Sequence, residues 1–293
     1  MAETGNDKNI ILFPNVNRDV GLDVTRKVAE MLESCGRNVL IWPVHDDDAD
    51  IDVSPSESKP SELGDEYANG EMIITFGGDG TILRAARAAA GYGIPILGIN
   101  MGGKGFMAEL EIDDIDMVCS AASGEYKIEY RMMLDAQVTR DGEIVCRDFA
   151  LNDILVRGYN RIIDLKLYGD GHIISTFSGD GAVIATPTGS TAYSLAAGGP
   201  IVEPSAHNII VTPICAHALE AKPFVLVSDR RVTIEVGYER HNPAYMSADG
   251  SARVEIFNGD IVNVCKSRIY TRLVRLTNRS FYSRVSDKLG ERK

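Results

Sequence analysis

Cysteines are sparse in this 293-residue sequence and form no recognisable pattern. A scattered, odd number of them favours reduced thiols over a disulfide framework or a zinc site, because no two make a C-x-x-C pair. The five are Cys35, Cys119, Cys146, Cys215 and Cys265. Five histidines are present, none paired four residues apart on a predicted helix, namely His45, His172, His207, His217 and His241. The sequence therefore predicts no structural metal site.

The sequence also lacks an excess of basic residues and any long apolar run. Its formal net charge of −12 argues against a general nucleic-acid or anionic-membrane binder, since both need a basic surface. No apolar run approaches the roughly 18–20 residues that cross a bilayer, and the polar start "MAETGNDKNI" is unlike a signal peptide. With 44% hydrophobic residues the composition is typical of a globular protein, which we expect in the cytoplasm without nucleic-acid or membrane partners.

Two familiar nucleotide-binding patterns are absent from the glycine-rich stretch "TFGGDGTILRAAR" at residues 75–87. It contains neither the Walker pattern G-x-x-x-x-G-K-[ST] nor the dinucleotide fingerprint G-x-G-x-x-G. The stretch is therefore not the phosphate loop of an ordinary P-loop NTPase.

The first 126 residues alternate short apolar runs with helical periodicity. Helices are predicted at residues 20–35, 81–90 and 113–123, and strands at the sequences NIILF, NVLIW, MIITF and IPILGI. This β-α-β order predicts a Rossmann-like parallel α/β domain over residues 1–126. Residues 45–70 interrupt it with an acidic, Ser/Pro-rich segment that predicts a surface loop. Its Asp46–Asp48 run is more typical of solvated charge than of a metal site.

Short β-prone runs dominate after residue 126 and predict an all-β, sandwich-like domain over residues 127–270. Asp170-Gly171 and Asn258-Gly259 are strong hairpin signals within it. The small-residue stretch "TPTGSTAYSLAAGGP" at 186–200 predicts a loop that leads into a short helix. Residues 271–293 end in an amphipathic helix with Phe281, Val285 and Leu289 four residues apart. We expect this segment to return to the α/β domain.

Asp79 lies in a glycine turn between a predicted strand and a predicted helix. Such turns collect unpaired N–H groups and the positive end of the helix dipole, so Gly77, Gly78 and Gly80 suit an anion cradle. A carboxylate there would repel phosphate, so Asp79 needs another purpose. One is to accept a proton or hydrogen bond from a sugar hydroxyl, and the other is to cap the helix. Spacing alone leaves these two at nearly even odds.

Several stretches in order, over essentially the whole chain, resemble the NAD kinase family. They are "GGDGTILRAAR", "GINMGGKGFMAEL", "LNDILV", "SGDGAVIATPTGSTAYSLAAGGPIVEP" and "SADGS". The GGDGT turn alone is weak evidence, because lipid kinases and phosphofructokinase-like enzymes have similar turns. "TPTGSTAYSLAAGGP" is highly specific, and the two motifs together make the resemblance strong. Members of this family transfer the γ-phosphoryl group of ATP to the 2′-hydroxyl of the adenosine ribose of NAD, which makes NADP.

The resemblance implies a role for each matching residue. Asp79 matches the catalytic aspartate, and Asn152-Asp153 match a pair that holds either the nicotinamide side or the adenine side of the dinucleotide. Tyr193 offers an aromatic face for stacking. The residues implied in NAD binding are Asp79, Gly80, Arg84, Asn152, Asp153, Asp180, Thr191, Ala192, Tyr193, Ser194 and Ala196. Those expected at the ATP phosphates are Gly77, Gly78, Gly80, Thr81, Thr188 and Ser190. Additional candidates are Lys104, Phe106, Arg161, Ser178 and Ser251.

Three residues depart from the family pattern. Asp153 replaces a common Glu, Ser251 stands where DGQ is usual, and Lys104 stands in "GGKGFM" where the family has G-x-L-G-F. Asp153 should preserve the hydrogen bond of the usual Glu with adjusted geometry. Ser251 leaves one polar contact with the ligand in doubt. Lys104 either helps to hold a phosphate or is simply solvated, and the sequence does not distinguish the two.

The resemblance implies direct in-line transfer with Asp79 as general base, helped by Mg²⁺ or Mn²⁺ that arrives with ATP. It also implies a homodimer or homotetramer. Polyphosphate in place of ATP, and NADH in place of NAD, remain open. Two alternatives are a lipid or sugar kinase that shares the GGDGT turn, and a non-catalytic NAD(P)-binding sensor.

Overall fold

The computed structural model describes residues 8–44, 64–102, 105–217, 221–237 and 242–290. The described residues form two compact units, one of residues 8–130 with 271–290 and one of residues 131–270. Lys104, the Asp46–Asp48 run, His45 and His241 lie outside the described residues. Most of the predicted surface loop at 45–70 also lies outside them. Its last part is corrected, because Gly64–Ala68 form a short helix.

The first unit has the predicted parallel α/β order. Its strands are β1 (Asn9–Pro14), β2 (Asn38–Ile41), β3 (Gly70–Gly77), β4 (Ile96–Asn100) and β5 (Leu110–Glu111). All pair in parallel, with β1 between β2 and β3, and with β4 between β3 and β5. Parallel strands place their carboxyl ends at one edge of the sheet, so the turn after β3 lies at that edge.

Helices connect these strands. They are α1 (Asp23–Ser34), α2 (Gly64–Ala68), α3 (Asp79–Ala89) and α4 (Val118–Ala122). The sequence places the starts of two of them too early, because α1 follows a 3-10 turn at Val20–Leu22 and α4 follows one at Ile112–Met117. Gly36 has φ +75°, which fits its predicted position just after α1.

The second unit is built almost entirely of strands. They are β6 (Lys127–Arg140), β7 (Glu143–Ala150), β8 (Asp153–Gly158), β9 (Ile163–Gly169), β10 (His172–Gly179), β11 (Gly181–Ala185), β12 (Asn208–Ile214), β13 (Phe224–Val227), β14 (Val232–Val236), β15 (Ala244–Ala248), β16 (Val254–Ile256) and β17 (Ile261–Arg275). Only α5 (Tyr193–Ala196), preceded by a 3-10 turn at Thr188–Thr191, interrupts the described strands. The predicted loop and short helix at 186–200 are confirmed.

These strands form the predicted sandwich. One antiparallel sheet has the order β13-β12-β11-β8-β15-β16, and the facing strands of this unit include β10, β9, β14 and β17 in that order. One core joins buried side chains of both, such as Ile154 and Val156 from β8 with Leu165 and Ile234 from β9 and β14. Burial of alternate side chains on two sheets accounts for the strand pattern in the sequence.

One of the two predicted hairpins is wrong. Asp170-Gly171 joins the antiparallel strands β9 and β10, with φ values of +49° and +83°. Asn258-Gly259 forms a turn, but the strands on either side pair with different partners, β16 with β15 and β17 with β14. Local turn chemistry determines that the chain reverses. It does not determine whether the strands before and after the turn pair with each other.

The C-terminal segment belongs to the α/β unit. The end of β17 pairs in parallel with β4 through Leu273 and Ile96, and α6 (Phe281–Leu289) follows. Ser280 caps α6 by accepting a hydrogen bond from the backbone of Ser283. None of the described helices is long and apolar enough to cross a membrane.

Candidate functional site

Asp79 is the first residue of α3, directly after the turn that leaves β3. Gly78 occupies the N-cap position, and no side chain in the described part of the protein caps the helix. Capping by Asp79, one of the two readings that the sequence left open, is therefore wrong. The carboxylate is available for another purpose while still lying at the positive end of the α3 dipole.

The Asp79 carboxylate instead binds a loop after β4. The backbone N–H of Phe106 donates to Oδ2 at 2.7 Å, and that of Met107 donates to Oδ1 at 3.0 Å. Gly105 makes this approach possible, since a Cβ there would lie 2.5 Å from Oδ1 of Asp79. A carboxylate oxygen accepts more than one hydrogen bond, so the fixed group still has acceptor capacity for a hydroxyl.

Two arginines hold the other side of the same loop. Arg275 donates to the carbonyl oxygen of Met107 at 3.0 Å, and Arg284 of α6 donates to those of Phe106 and Ala108 at 3.2 and 3.0 Å. Both also pair with the buried carboxylate of Glu109. The loop that orients Asp79 is thus fixed on its N–H and on its C=O groups.

Glu109 collects donors from the C-terminal segment. The backbone N–H and the hydroxyl of Thr277 donate to it at 2.6 and 2.5 Å, and the backbone of Leu276 donates at 3.1 Å. Burial alone would raise the pKa of Glu109, but the Thr277 hydrogen bonds, the charge of Arg275 and the hydrogen bond from Arg284 together lower it. Sequence analysis missed these residues, because no local pattern marks partners about 170 positions apart.

The glycines of the turn differ in what surrounds them. A Cβ on Gly77 would lie 2.2 Å from the hydroxyl oxygen of Thr81, whereas one on Gly78 or Gly80 would meet no described atom within 4 Å. Gly77 is therefore needed for packing within the chain. Arg84 lies half-buried one turn further along α3. The structure thus brings Gly77 to Arg84 together with Phe106 in one unit.

In the β-rich unit, Asp249 organises the residues of the "LND" motif. Its carboxylate accepts the backbone N–H groups of Leu151, Asn152 and Asp153 at 2.6, 2.8 and 3.0 Å. Asp249 itself has φ +50°, a left-handed conformation that the following glycine turn supports. Sequence analysis missed Asp249, although it belongs to the "SADGS" stretch.

Asp153 lies 8% exposed at the start of β8. Burial, and then the negative charge of Asp249, raise the pKa of Asp153 to about 7. The side-chain oxygen Oδ1 of neighbouring Asn152 is buried and has no hydrogen-bond partner among the described residues. An orphaned acceptor beside a perturbed carboxyl group is typical of a binding site.

The "TPTGSTAYS" stretch packs directly against this pair. Thr186 donates its hydroxyl proton to the carbonyl oxygen of Leu151 at 2.6 Å. A Cβ on Gly189 would lie 2.1 Å from the carbonyl oxygen of Asn152, so the two backbones are in close contact. Thr188 accepts from Arg131 at 3.2 Å. Ser190 is buried, donates its hydroxyl proton to the carbonyl oxygen of Pro187 at 2.6 Å and accepts the backbone N–H of Val202 at 3.0 Å. The Ser190 hydroxyl is engaged inside the chain, and its phosphate contact stays a prediction.

Tyr193 opens α5 beside two charged residues. Arg157 donates to the Tyr193 hydroxyl at 3.4 Å and lies 3.8 Å from the carboxylate of Asp180. Both side chains of that ion pair are 39% exposed, so the pair stays open to solvent. Thr191, Ala192 and Ala196 line the same stretch, and Ser194 is buried against the hydroxyl of Thr212 at 2.9 Å.

The additional candidates have varied surroundings. Ser178 donates to the buried Asp164 at 2.5 Å, and Arg161 is exposed in the turn after β8. Ser251 donates to Asp148 at 3.3 Å, within the turn that Asp249 begins. Among the described residues no three His, Cys, Asp or Glu side chains form a group that could hold a metal ion.

Family models match both parts of the chain. The model of the ATP-NAD kinase N-terminal domain matches residues 52–124, and that of the ATP-NAD kinase C-terminal domain matches residues 152–276. The first includes Asp79, and the second includes Asn152, Asp153 and Asp249.

Similar proteins and solved structures agree with these matches. The NAD kinase of Ruminiclostridium cellulolyticum is 37% identical, and the match covers 98% of this chain and 99% of that protein. The NAD kinase of Caldanaerobacter subterraneus is also 37% identical, and the match covers 97% of this chain and 100% of that protein. An Archaeoglobus fulgidus NAD kinase solved with ATP is 25% identical, with a TM-score of 0.73 over 96% of this chain and 98% of its own. A yeast NADH kinase solved with NADH has the same fold, with a TM-score of 0.82 over 99% and 92% at 24% identity. From its two matched domain models and its full-length relatives, the chain belongs to the NAD kinase family.

Proposed function

We propose that this protein phosphorylates the 2′-hydroxyl of the adenosine ribose of NAD, with ATP as phosphoryl donor, to make NADP. The observation that carries the proposal is the oriented Asp79 carboxylate at the start of α3, bound by the N–H groups of Phe106 and Met107. Its relatives named as NAD kinases support the choice of reaction.

In this proposal Asp79 accepts the proton of the ribose hydroxyl, or orients it, as the oxygen attacks the γ-phosphorus. The turn before α3 supplies N–H groups and a positive dipole end for phosphate charge, and the bare backbone of Gly78 and Gly80 allows close approach. Most of the rate enhancement then comes from positioning and electrostatics, as in other phosphoryl transfers.

The residues around Asn152 and Asp153 bind the dinucleotide in this proposal. The orphaned Oδ1 of Asn152 accepts a hydrogen bond from it, and Asp153 binds one of its hydroxyl or amide groups. Tyr193 stacks on a ring, and Asp180 with Arg157 binds polar groups beside it.

The described residues do not supply a cluster of metal ligands, so a divalent cation such as Mg²⁺ or Mn²⁺ would be bound through the nucleotide phosphates. We also infer a homo-oligomer, on the family resemblance alone, and a cytoplasmic location, on the composition and the scattered cysteines. Sedimentation at several protein concentrations tests the first of these inferences.

A coupled assay of NADP formation tests the function. Purified protein is given NAD or NADH as acceptor and ATP or polyphosphate as donor, and a lipid and sugar panel serves as comparison. We expect NADP from NAD and ATP, and no phosphorylation of diacylglycerol or hexoses. NADP binding in calorimetry without any NADP formation would instead support a non-catalytic sensor.

A further inference from the structure

A cavity of about 500 Å³, open to solvent, lies at the surface of the β-rich unit and is lined by none of the site residues described above. Its walls are two short segments, residues 228–231 between β13 and β14, and residues 265–270 of β17. These segments are neighbours because β14 and β17 pair antiparallel, with Val232 opposite Val264. The volume is in the range of small-molecule sites.

The cavity is basic in a protein whose net charge is −12. Its lining has four cationic side chains, Arg230, Arg231, Lys266 and Arg268, and one acidic side chain, Asp229. The fold therefore holds four positive charges close together, although they repel one another. Such repulsion is relieved when an anion binds between them.

Neighbouring groups offset only part of this charge. Asp170 pairs with Arg230 at 2.8 Å and accepts the backbone N–H of Arg231 at 2.9 Å, so it lies at the rim. With Asp135, whose charge acts on Cys265 in the cavity wall, four cations face three carboxylates. Arg231 also acts on Cys265, whose pKa is raised by burial and by Asp135 and is lowered by Arg231. That influence is consistent with a guanidinium close to the cavity wall.

Polar and aromatic groups complete the lining. The Ser267 oxygen accepts the backbone N–H of Ile269 at 3.1 Å, which leaves its proton to donate. The Lys266 ammonium lies 5.8 Å from the centre of the Tyr270 ring. Arginine forks and hydroxyl donors are the groups that proteins use to bind phosphate oxygens.

We propose that this cavity binds a small ligand that carries two or more phosphate groups in a row. The cations lie on two adjacent segments. A short chain of phosphates suits this arrangement better than a single phosphate, because the cations of each segment can then pair with a different phosphate group. None of the residues assigned to the proposed reaction lines this cavity, so the proposal does not depend on that reaction.

Hydrogen exchange with inorganic triphosphate as probe tests the proposal. We expect slower exchange in peptides that cover residues 228–231 and 265–270. The double variant Arg231→Gln with Lys266→Gln should weaken this protection about tenfold or more in apparent Kd. A control variant, Arg147→Gln with Lys222→Gln, removes the same charge from exposed positions outside the cavity. This variant should leave the protection by triphosphate unchanged.

Three outcomes would overturn it. One is no protection of either segment at millimolar triphosphate, and another is equal weakening in both double variants. The third is protection of these segments by higher protein concentration alone, which would make the cavity an interface between copies of the chain.

A separate observation concerns two thiols in the α/β unit. The Sγ atoms of Cys35, just after α1, and Cys119, in α4, lie 2.9 Å apart, and both cysteines are free. Cys35 is exposed and Cys119 is half-buried. We infer that these two residues form a reversible disulfide when a small-molecule disulfide is present.

The reaction is a thiol–disulfide exchange in two steps. The Cys35 thiolate attacks one sulfur of the small disulfide, which forms a mixed disulfide and releases one thiolate. Cys119 then loses its proton, attacks Sγ of Cys35 and releases the second thiolate. Before the exchange, the contact with Cys35, and then burial, raise the pKa of Cys119 to about 11, so Cys119 is a poor nucleophile for the first step.

Oxidised glutathione and peptide mapping test this pair. We expect two of the five thiols to be lost, a peptide that links Cys35 to Cys119, and a higher melting temperature after oxidation. Cys35→Ser should abolish the link, and Cys146→Ser should keep it. Glutathione that remains on Cys35 without a link to Cys119, or a link between two chains, would refute the inference.

Discussion

Asp79 accepts a 2.7 Å hydrogen bond from the backbone N–H of Phe106, which lies 27 positions further along the chain. Because of this contact the carboxylate neither caps its own helix nor turns freely. The loop that donates the bond is held in turn by Arg275 and Arg284. The orientation of the candidate catalytic group therefore depends on the C-terminal segment.

Asp79→Asn should lower kcat by about 10²–10⁴, since a positioned general base typically contributes that much. NAD binding should remain measurable by calorimetry. The amide also places an NH₂ group against one of the two N–H donors, so the melting temperature of the variant has to be compared with the wild type. Near-normal turnover in a folded variant would remove Asp79 from the reaction.

Arg284→Gln should lower kcat about 10–100-fold with little change in KM, because a small displacement of the Phe106–Met107 loop displaces Asp79. Arg284→Lys should restore part of the loss. Arg272→Gln is a matched control, since Arg272 also donates to a backbone carbonyl, that of Gly93, in the same unit. A positioning role for Arg284 is contradicted by an equal loss in the control.

Gly77→Ala and Gly78→Ala separate packing from ligand approach. The first substitution places a Cβ 2.2 Å from Thr81 and should lower the melting temperature. The second meets no atom of the described residues within 4 Å and should leave stability unchanged, while kcat/KM for ATP falls at least about tenfold. Normal kinetics in Gly78→Ala would mean that phosphate does not approach this backbone.

Asp153 should make stability fall with rising pH. Its pKa is 3.8 in an ordinary environment and about 7 in the fold, so the folded chain keeps a proton that the unfolded chain loses between these values. Stability from this group is full below about pH 4, falls towards pH 7 and is constant above it. Asp153→Asn should therefore be more stable than the wild type at pH 8, by up to about 4 kcal/mol, and unchanged near pH 4. Urea unfolding at several pH values measures this, and a pH-independent difference would contradict it.

The local parts of the candidate site followed from the sequence. The strand, glycine turn and helix around Asp79 are encoded in consecutive residues, and so are the loop and short helix at 186–200. Hydrophobic periodicity and turn chemistry act over a few residues, which makes such elements predictable. Asn258-Gly259 marks the limit of that reasoning, since the turn was right and the strand pairing was wrong.

By itself the sequence determined the order of elements, the two-part architecture and the family, because burial patterns and motif spacing are written along the chain. Only the tertiary structure decided what the key carboxylates do. Asp79 binds Phe106 rather than its own helix, Asp249 organises Leu151 to Asp153, and Glu109 binds Arg275 and Arg284. The physical reason is that each of these partners is distant in sequence. A hydrogen bond depends on about 3 Å of separation in space, and only the packed fold sets that distance.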